Sequence, residues 1–405
     1  MTLLGALAAN SYDGAGLSVN ARGDVVGASA HYPGELPGSR WGPVLWSVGS
    51  TAPIELGTLP GTQISPLRDG RANGINAAGT VVGTVHKYAG NADMGLVAVR
   101  WAPGSTTPTE LLAIGSTGSR FPWTRANAIN NAGVAIGWAV NYAIRYEGSS
   151  HATRWDADST VPVELGTLET NSSGEANAEA LAINFAGVIA GCSQKWSGTR
   201  YLGYRPVRWD AGGTTATELA NLGLDPNGAT AGSAVAINDA GTIVGGVEKY
   251  VDGIDLGSRA VYWSAGQTAL TELPGLATGA SGASGINAAG DIVGYSVMSL
   301  TEARATLWPA GSSVPIDLNQ LIDPNSGCKL EYANAINDAG VIVGSGVYYP
   351  PDGGGFPRSA AFRLDPVPEP LLLAPVLVAG WLLVRRRSPA GSSRGGGNRG
   401  GASIY

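Results

Sequence analysis

Short apolar stretches alternate with polar turns along most of this 405-residue chain. Residues 180–183 (Ala-Leu-Ala-Ile) form one such stretch, residues 184–187 (Asn-Phe-Ala-Gly) follow as a turn, and residues 188–190 (Val-Ile-Ala) return as a second stretch. A turn that opens with Asn and closes with a left-handed Gly is typical of a β-hairpin. Two further stretches, at 205–209 and 217–219, complete the unit. The pattern therefore predicts four short antiparallel strands and no long helix.

This unit occurs seven times. The shared phrase is (Ala/Gly/Ser)-(Ile/Val)-Asn-x-x-Gly-x-x-x-Gly, and its asparagines are Asn20, Asn76, Asn130, Asn184, Asn238, Asn287 and Asn337. The third predicted strand of each unit carries one aromatic residue: Trp46, Trp101, Trp155, Trp209, Trp263, Trp308 and Phe362. We expect these rings to pack between neighbouring units rather than to bind a ligand. Nine residues after each tryptophan stands an acid, for which solvation is the simplest role: Glu55, Glu110, Glu164, Glu218, Glu272 and Asp317.

Four antiparallel strands per unit of about 50 residues, repeated seven times, predict an all-β, seven-bladed β-propeller over residues 1–366. The seventh unit has only three predicted strands, because Pro366 and Pro368 follow the third. Residues 2–7 (Thr-Leu-Leu-Gly-Ala-Leu) resemble the fourth-strand phrase at 163–168. We therefore expect residues 2–7 to supply the outer strand of the last blade and to close the ring, which removes an unpaired sheet edge. An open β-solenoid is the alternative, and it leaves the repeated N-terminal phrase unexplained.

The charge balance narrows the class of partner. Residues 1–366 carry 20 Lys and Arg against 30 Asp and Glu, whereas nucleic-acid binders usually present a basic face, so we expect no nucleic-acid partner. Cys192 and Cys328 lie in different repeats, so their spacing implies no disulfide.

The C-terminal region differs from the repeats. Val367, Pro368, Glu369 and Pro370 precede a largely apolar run at 371–384, and Arg385, Arg386 and Arg387 follow it. Fourteen helical residues would span about 21 Å, less than the roughly 30 Å of a hydrocarbon core. The run therefore predicts a short apolar helix outside the propeller that acts as a weak or transient membrane anchor, with the arginines on the cytoplasmic side. Residues 388–405 are rich in Gly, Ser and Arg and are expected to be disordered.

The order Pro-Glu-Pro, apolar run and arginine cluster at 367–387 resembles the PEP-CTERM sorting signal of Gram-negative bacteria. The resemblance implies export, transient insertion of 371–384 in the inner membrane, and processing by an exosortase near 368–370. The product is then expected at the cell surface or in extracellular polymer. Residues 1–9 lack the basic start and full apolar length of a signal peptide, so we expect the natural start to lie upstream.

The repeats resemble the HAF family of probable extracellular repeats. One repeat carries the matching phrases: residues 129–133 (Ile-Asn-Asn-Ala-Gly), His151 with Ala152, Trp155, and residues 165–168 (Leu-Gly-Thr-Leu). The resemblance implies an extracellular location and this fold, and it implies no particular reaction.

A second aromatic series stands twelve residues after the repeat asparagine, and its members are Tyr32, Tyr88, Tyr142, Trp196, Tyr250 and Tyr349. The second strands end near these positions, so the series is expected on the face opposite the Asn turns. Two roles are open: the rings cap the open ends of the blades, or they stack on sugar rings, since amphipathic rings suit half-wet sites.

No catalytic motif, metal-binding spacing or cofactor signature occurs in the sequence. We therefore expect no cofactor, no metal and no catalytic residue. The sequence indicates an exported, surface-associated structural or binding module, whose partner is extracellular polysaccharide or a surface protein. The alternative is a periplasmic or extracellular hydrolase or lyase with its site at the mouth of the propeller channel.

Overall fold

The computed structural model describes residues 1–7, 13–30, 41–60, 70–90, 92–115, 123–140, 149–312, 314–350 and 357–366. The predicted sorting segment, short helix and tail at 367–405 lie outside the described residues.

Seven four-stranded antiparallel sheets make up the described part of the chain. The chain begins with β1 (Thr2–Leu3). Blade one contains β2 (Gly14–Val19), β3 (Val25–Ala30), β4 (Trp41–Trp46) and β5 (Ile54–Glu55). Blade two contains β6 (Gly70–Ile75), β7 (Val81–Ala89), β8 (Ala92–Trp101) and β9 (Pro108–Glu110). Blade three contains β10 (Thr124–Ile129), β11 (Ala135–Val140), β12 (Ser150–Trp155) and β13 (Pro162–Glu164).

The remaining blades repeat this order. Blade four contains β14 (Ala178–Ile183), β15 (Ile189–Ser197), β16 (Arg200–Trp209) and β17 (Ala216–Glu218). Blade five contains β18 (Gly232–Ile237), β19 (Ile243–Val251), β20 (Ile254–Trp263) and β21 (Leu270–Glu272). Blade six contains β22 (Ser281–Ile286), β23 (Ile292–Ser299), β24 (Glu302–Trp308) and β25 (Ile316–Asp317), followed by one 3₁₀ turn at Leu318–Leu321. Blade seven contains β26 (Cys328–Ile336), β27 (Ile342–Tyr348) and β28 (Arg358–Leu364).

The N-terminal strand β1 completes blade seven, which confirms the predicted closure. Thr2 lies opposite Arg363 and Leu3 lies opposite Phe362 in antiparallel register. The Leu4 N–H then donates to the carbonyl of Ala361 at 3.0 Å. The paired segment is therefore shorter than the predicted residues 2–7, and the fold is the predicted seven-bladed β-propeller.

The hydrophobic core is divided into seven clusters, one between each pair of adjacent blades. In the cluster between blades three and four, Trp209 packs with Ile136, Leu165 and Ile189. All seven strand-three aromatic residues are fully buried in such clusters. Each blade thus buries its apolar faces only against its neighbours, as in other repeat proteins.

The repeat asparagines connect the blades around the channel. The Oδ1 of Asn184 accepts from the Val188 N–H at 2.9 Å within its own turn, and its Nδ2 donates to the carbonyl of Asn238 at 3.3 Å. Six such inter-blade bonds are present among the described residues, running from Asn20 to Asn76, Asn76 to Asn130, Asn130 to Asn184, Asn184 to Asn238, Asn238 to Asn287 and Asn337 to Asn20. The last bond joins blade seven to blade one.

The two glycines of each repeat are required for different physical reasons. Gly187, which closes the turn of blade four, has a φ of 87°, a conformation that favours glycine. Gly191 lies in extended backbone, where a Cβ would clash with the carbonyl oxygen of Glu179 on the inner strand. The inner strand has a bulge beside this contact, between Ala180 and Ala182.

Candidate binding site at the channel mouth

The structure places four of the six predicted binding aromatics, and Tyr32 and Tyr142 lie outside the described residues. Tyr88, Trp196 and Tyr250 lie near the ends of the second strands, and Tyr349 follows β27. Because these strands start at the Asn turns, the four residues lie toward the opposite face. The predicted position is therefore observed for the described members of the series.

The four described rings belong to four different blades. Trp196 contacts Tyr201 on the facing strand, with ring centroids 5.1 Å apart, and Tyr88 contacts His86 at 6.1 Å. The hydroxyl of Tyr250 donates to Glu248 Oε2 at 3.2 Å. No ring contact between described residues joins two of the four. Their shared role in glycan binding stays a prediction.

A wide cavity opens at the centre of this same face. It has a volume of about 790 Å³ and is lined by side chains from blades three to six. A second cavity of about 470 Å³ is lined by residues of blades one to three, and Arg125 lines both cavities. We call the two cavities together the channel mouth.

One sequence position supplies much of the channel mouth. It lies five residues before each repeat asparagine and is occupied by Ala15, Arg71, Arg125, Glu179, Ser233, Gly282 and Tyr332. Alternation along the inner strand explains its accessibility: in β6, Arg71 is exposed, whereas the next residue, Ala72, is fully buried between blades. The position forms no sequence motif, because its seven members include six residue types. The constant spacing to the asparagine was the available signal.

Aromatic side chains form part of the wall. Trp138, Tyr204 and Tyr295 line the larger cavity and are half-buried. Tyr295 contacts Tyr332 edge to face, with ring centroids 5.4 Å apart. Burial raises the pKa of Tyr204 and, together with Tyr332, that of Tyr295. Both phenols therefore stay neutral at ordinary pH and keep a proton to donate.

Two carboxylates line the larger cavity, Glu179 in blade four and Glu248 in blade five. Glu179 accepts from Asn127 Nδ2 at 2.9 Å, and the same amide donates to the carbonyl of Ala180 at 2.8 Å. Glu248 accepts from the Ala231 N–H at 3.0 Å. Burial, with the nearby charge of Glu179, raises the pKa of Cys192 to about 12, so this thiol is a poor nucleophile.

The acids on the fourth strands are paired rather than only solvated. A cation from the same blade reaches the acid in blades two, four, five and six, at these distances: Lys87 to Glu110 2.7 Å, Lys195 to Glu218 2.6 Å, Lys249 to Glu272 2.7 Å and Arg304 to Asp317 3.2 Å. The cation lies on the second strand in blades two, four and five and on the third strand in blade six, so each pair ties that strand to the outer strand. The cation and the acid are 13 or 23 residues apart along the chain, so a local sequence pattern does not reveal the pair.

In blade three, His151 takes the place of the cation. Its Nδ1 lies 2.6 Å from Glu164 Oε1, and the hydrogen bond from His151 lowers the pKa of Glu164. Its Nε2 lies 2.7 Å from Ser149 Oγ. Ser149, His151 and Glu164 are thus arranged like a nucleophile, a base and an acid. The same fourth-strand acid, however, forms a structural ion pair in four other blades.

The described residues contain neither a metal-binding cluster nor a membrane-spanning helix. Within them, no group of three His, Cys, Asp or Glu side chains could hold a metal ion. The same residues contain no helix with the length and apolarity needed to span a membrane.

The comparisons with known proteins agree with the fold. Residues 144–306 match a family model described as "Protein of unknown function (DUF3466)". No curated protein matches the chain. Among solved structures, a puromycin-hydrolyzing peptidase of Mycobacterium tuberculosis aligns with a TM-score of 0.50 and 12% identity over 87% of this chain and 50% of that chain. The polysaccharide lyase Uly1 aligns with a TM-score of 0.48 and 11% identity over 88% and 90%.

TolB from Acinetobacter baumannii aligns with a TM-score of 0.42 and 10% identity over 72% of this chain and 62% of TolB. The chain thus spans less than two thirds of TolB and half of the mycobacterial peptidase. At 12% identity, the similarity to the mycobacterial peptidase concerns the fold alone, and the chain is a β-propeller module.

Proposed function

We propose that this propeller is an exported, surface-associated binding module that holds extracellular polysaccharide at its channel mouth. The observation that carries the proposal is the larger cavity, about 790 Å³, with Trp138, Tyr204 and Tyr295 in its wall. Ligand sites combine apolar or aromatic surface with a few fixed polar groups, and this cavity has both. Rings at half-wet positions suit the faces of sugar rings.

The fixed polar groups support the same ligand class. Glu179 is held by Asn127, and Glu248 is held by the Ala231 N–H, so neither carboxylate needs to be ordered when a hydroxyl binds. The neutral phenols of Tyr204 and Tyr295 add donors. Groups that are already in place reduce the entropic cost of binding.

A glycan array with purified residues 1–366 tests the proposal. Trp138→Ala removes a ring from the channel mouth, and Tyr88→Ala with Trp196→Ala removes two rings from the blade ends. Phe185→Ala is the control, because this exposed ring lies in an Asn turn on the other face. We expect Trp138→Ala to weaken saccharide binding about tenfold or more, equivalent to about 1.4 kcal/mol, and Phe185→Ala to leave it unchanged.

An array without any saccharide binding would overturn the proposal, as would binding that survives both the mouth and the blade-end substitutions. Loss of binding only in the blade-end double variant would move the site to the series predicted from sequence. Thermal denaturation of each variant separates lost binding from lost fold.

The proposed location rests on the PEP-CTERM resemblance of residues 367–387. Expression of the full chain with an exosortase should release a product that ends near Pro368, Glu369 or Pro370. Mass spectrometry of the surface fraction reads that terminus. Protein that is exported behind a fused signal peptide but stays unprocessed in an exosortase-positive host would reject the proposed route.

A hydrolase is the second candidate, and the contacts of Ser149, His151 and Glu164 favour it. If Ser149 is the nucleophile of a hydrolase, Ser149→Ala abolishes turnover of an activated ester such as p-nitrophenyl acetate. Under the binding proposal the wild-type protein shows no ester turnover above that of Ser149→Ala.

A further inference from the structure

Two arginines stand side by side at the channel mouth. Arg71 on β6 and Arg125 on β10 occupy the same position in adjacent blades, and both side chains are exposed. Both line the cavity of about 470 Å³, together with Trp41 and His86. The two guanidinium groups therefore face one shared space that is large enough for a sugar residue.

Neither guanidinium has an ion-pair or hydrogen-bond partner within the described part of the chain. Other arginines are engaged: Arg304 contacts Asp317, and Arg363 contacts Asp365 and the carbonyl of Gly23. Glu179 follows Arg125 in the ring of blades, but its carboxylate bonds to Asn127 instead.

A guanidinium presents a planar set of donors that matches a carboxylate or a sulfate with two parallel hydrogen bonds. A cavity edged by two such groups suits an anion better than a neutral hydroxyl.

We propose that Arg71 and Arg125 bind the carboxylate or sulfate group of an acidic saccharide in the smaller cavity. This inference rests on the proposed function and specifies its ligand. Arg125 lines both cavities, so a saccharide whose charged group lies between the arginines extends toward Trp138 in the larger cavity. Trp41 adds a half-buried ring on the side of blade one.

The carboxylates of the larger cavity restrict which anionic ligands can occupy the channel mouth. Glu179 and Glu248 line the larger cavity, so a continuous polyanion that crossed the whole mouth would meet two negative charges. A saccharide with separated charged groups can place one at the arginines and neutral hydroxyls near the carboxylates. A nucleic acid, with a phosphate at every step, fits this distribution poorly.

The test compares ligands that differ only in charge. Binding of the full chain to sparsely de-esterified polygalacturonate, in which neutral residues separate the carboxylates, is measured by calorimetry beside the fully methyl-esterified form. Binding to sparsely sulfated dextran is measured beside dextran. Single-stranded DNA serves as a non-saccharide polyanion. Arg71→Gln and Arg125→Gln remove the charges one at a time. Arg200→Gln is the matched control, because Arg200 is exposed on the hairpin between β15 and β16, outside both cavities.

We expect at least one charged polymer to bind about tenfold or more tightly than its neutral counterpart, with the better of the two identifying carboxylate or sulfate. Each cavity substitution should weaken that binding about tenfold, and Arg200→Gln should not. Because the contact is partly exposed, affinity should also fall as salt rises.

Equal binding of charged and neutral polymers, unaffected by Arg71→Gln and Arg125→Gln, would overturn this inference and leave the proposed function standing. Failure of every saccharide, charged or neutral, would overturn both. Arginine-dependent binding of DNA at least as tight as that of the saccharides would assign the arginines to a different class of ligand.

Discussion

At the scale of single residues, two contacts explain why tryptophan recurs on the third strand. Each ring fills the space between blades, and each Nε1 donates to a carbonyl just past the outer strand of the preceding blade. Trp209 donates to Gly166 at 2.9 Å and Trp155 to Leu112 at 3.0 Å. A leucine would fill part of the space but would leave the carbonyl without its donor, which is why tryptophan is favoured over other large apolar residues.

The substitution Trp209→Phe separates the two contributions. It keeps most of the apolar volume and removes the donor, so we expect a loss of about 1–2 kcal/mol in the free energy of unfolding. Trp209→Ala also leaves a cavity and should cost about 3–5 kcal/mol. Urea denaturation followed by circular dichroism measures both.

The exposed Phe185 provides the control for these changes, since Phe185→Ala should alter stability by less than about 0.5 kcal/mol. A Trp209→Phe variant as stable as the wild type would show that the hydrogen bond to Gly166 contributes nothing.

At the scale of secondary-structure elements, the Asn hairpin both forms the turn between two strands and joins adjacent blades. Its asparagine organises its own turn through Oδ1 and bonds to the next blade through Nδ2, and only asparagine offers an acceptor and a donor at this length. The sequence predicts the turn at this residue but not the inter-blade bond. A single sequence cannot show that bond, because the partner carbonyl lies about one repeat away.

The substitution Asn184→Asp tests the inter-blade bond. It retains an acceptor for the Val188 N–H, removes the donor to Asn238, and places a carboxylate at a position that is 4% exposed. The oxygen that replaces Nδ2 would face the Asn238 carbonyl without a donor, and this buried, half-satisfied carboxylate should cost at least about 2 kcal/mol of unfolding free energy.

Asn171→Asp is the matched control for this substitution. Asn171 accepts from the Ser173 and Glu175 N–H groups in a turn of the same kind, without a bond to another blade. Its effect should stay within about 0.5 kcal/mol. Equal losses in the two variants would mean that the turn, and not the contact between blades, accounts for the asparagine.

Closure of the ring governs stability at the scale of the whole molecule. Leu4 is 2% exposed and packs with Val25, Trp46 and Val343 between blades seven and one. The same interface contains the bond from Asn337 to Asn20 and the contact of Arg363 with the carbonyl of Gly23. The two ends of the propeller are thus joined at the channel and at the outer strand.

Leu4→Asp should open this interface. A charge buried without a partner costs about 3 kcal/mol or more, and we expect a lower melting temperature together with loss of the cooperative transition. Leu300→Asp, at a fully exposed hairpin position, should leave the melting temperature unchanged. Deletion of residues 1–7 should reduce solubility as well, because it exposes the edge of β28. Unaltered melting of both N-terminal variants would contradict closure as a source of stability.

Much of the fold could be predicted because its determinants are local and repeated. The Asn-x-x-Gly turn, the period-two strands and the tryptophan spacing each lie within one repeat, and Thr2, Leu3 and Leu4 repeat a phrase already present at 163–168. The candidate site could not be predicted in this way. The site position changes from Arg125 to Glu179 to Ser233 in successive blades, so it forms no motif.

The sequence by itself determined the number of blades, their strand order and the strand that closes the ring, because these follow from hydrogen-bonding turns and apolar spacing within one repeat. Only the tertiary structure decided which side chains share a space. It brought Arg71 beside Arg125 across 54 residues and left Tyr88, Trp196 and Tyr250 on separate blades. The physical reason is that a ring of blades makes neighbours of residues one repeat apart, and their combined charge and shape exist only after the ring has formed.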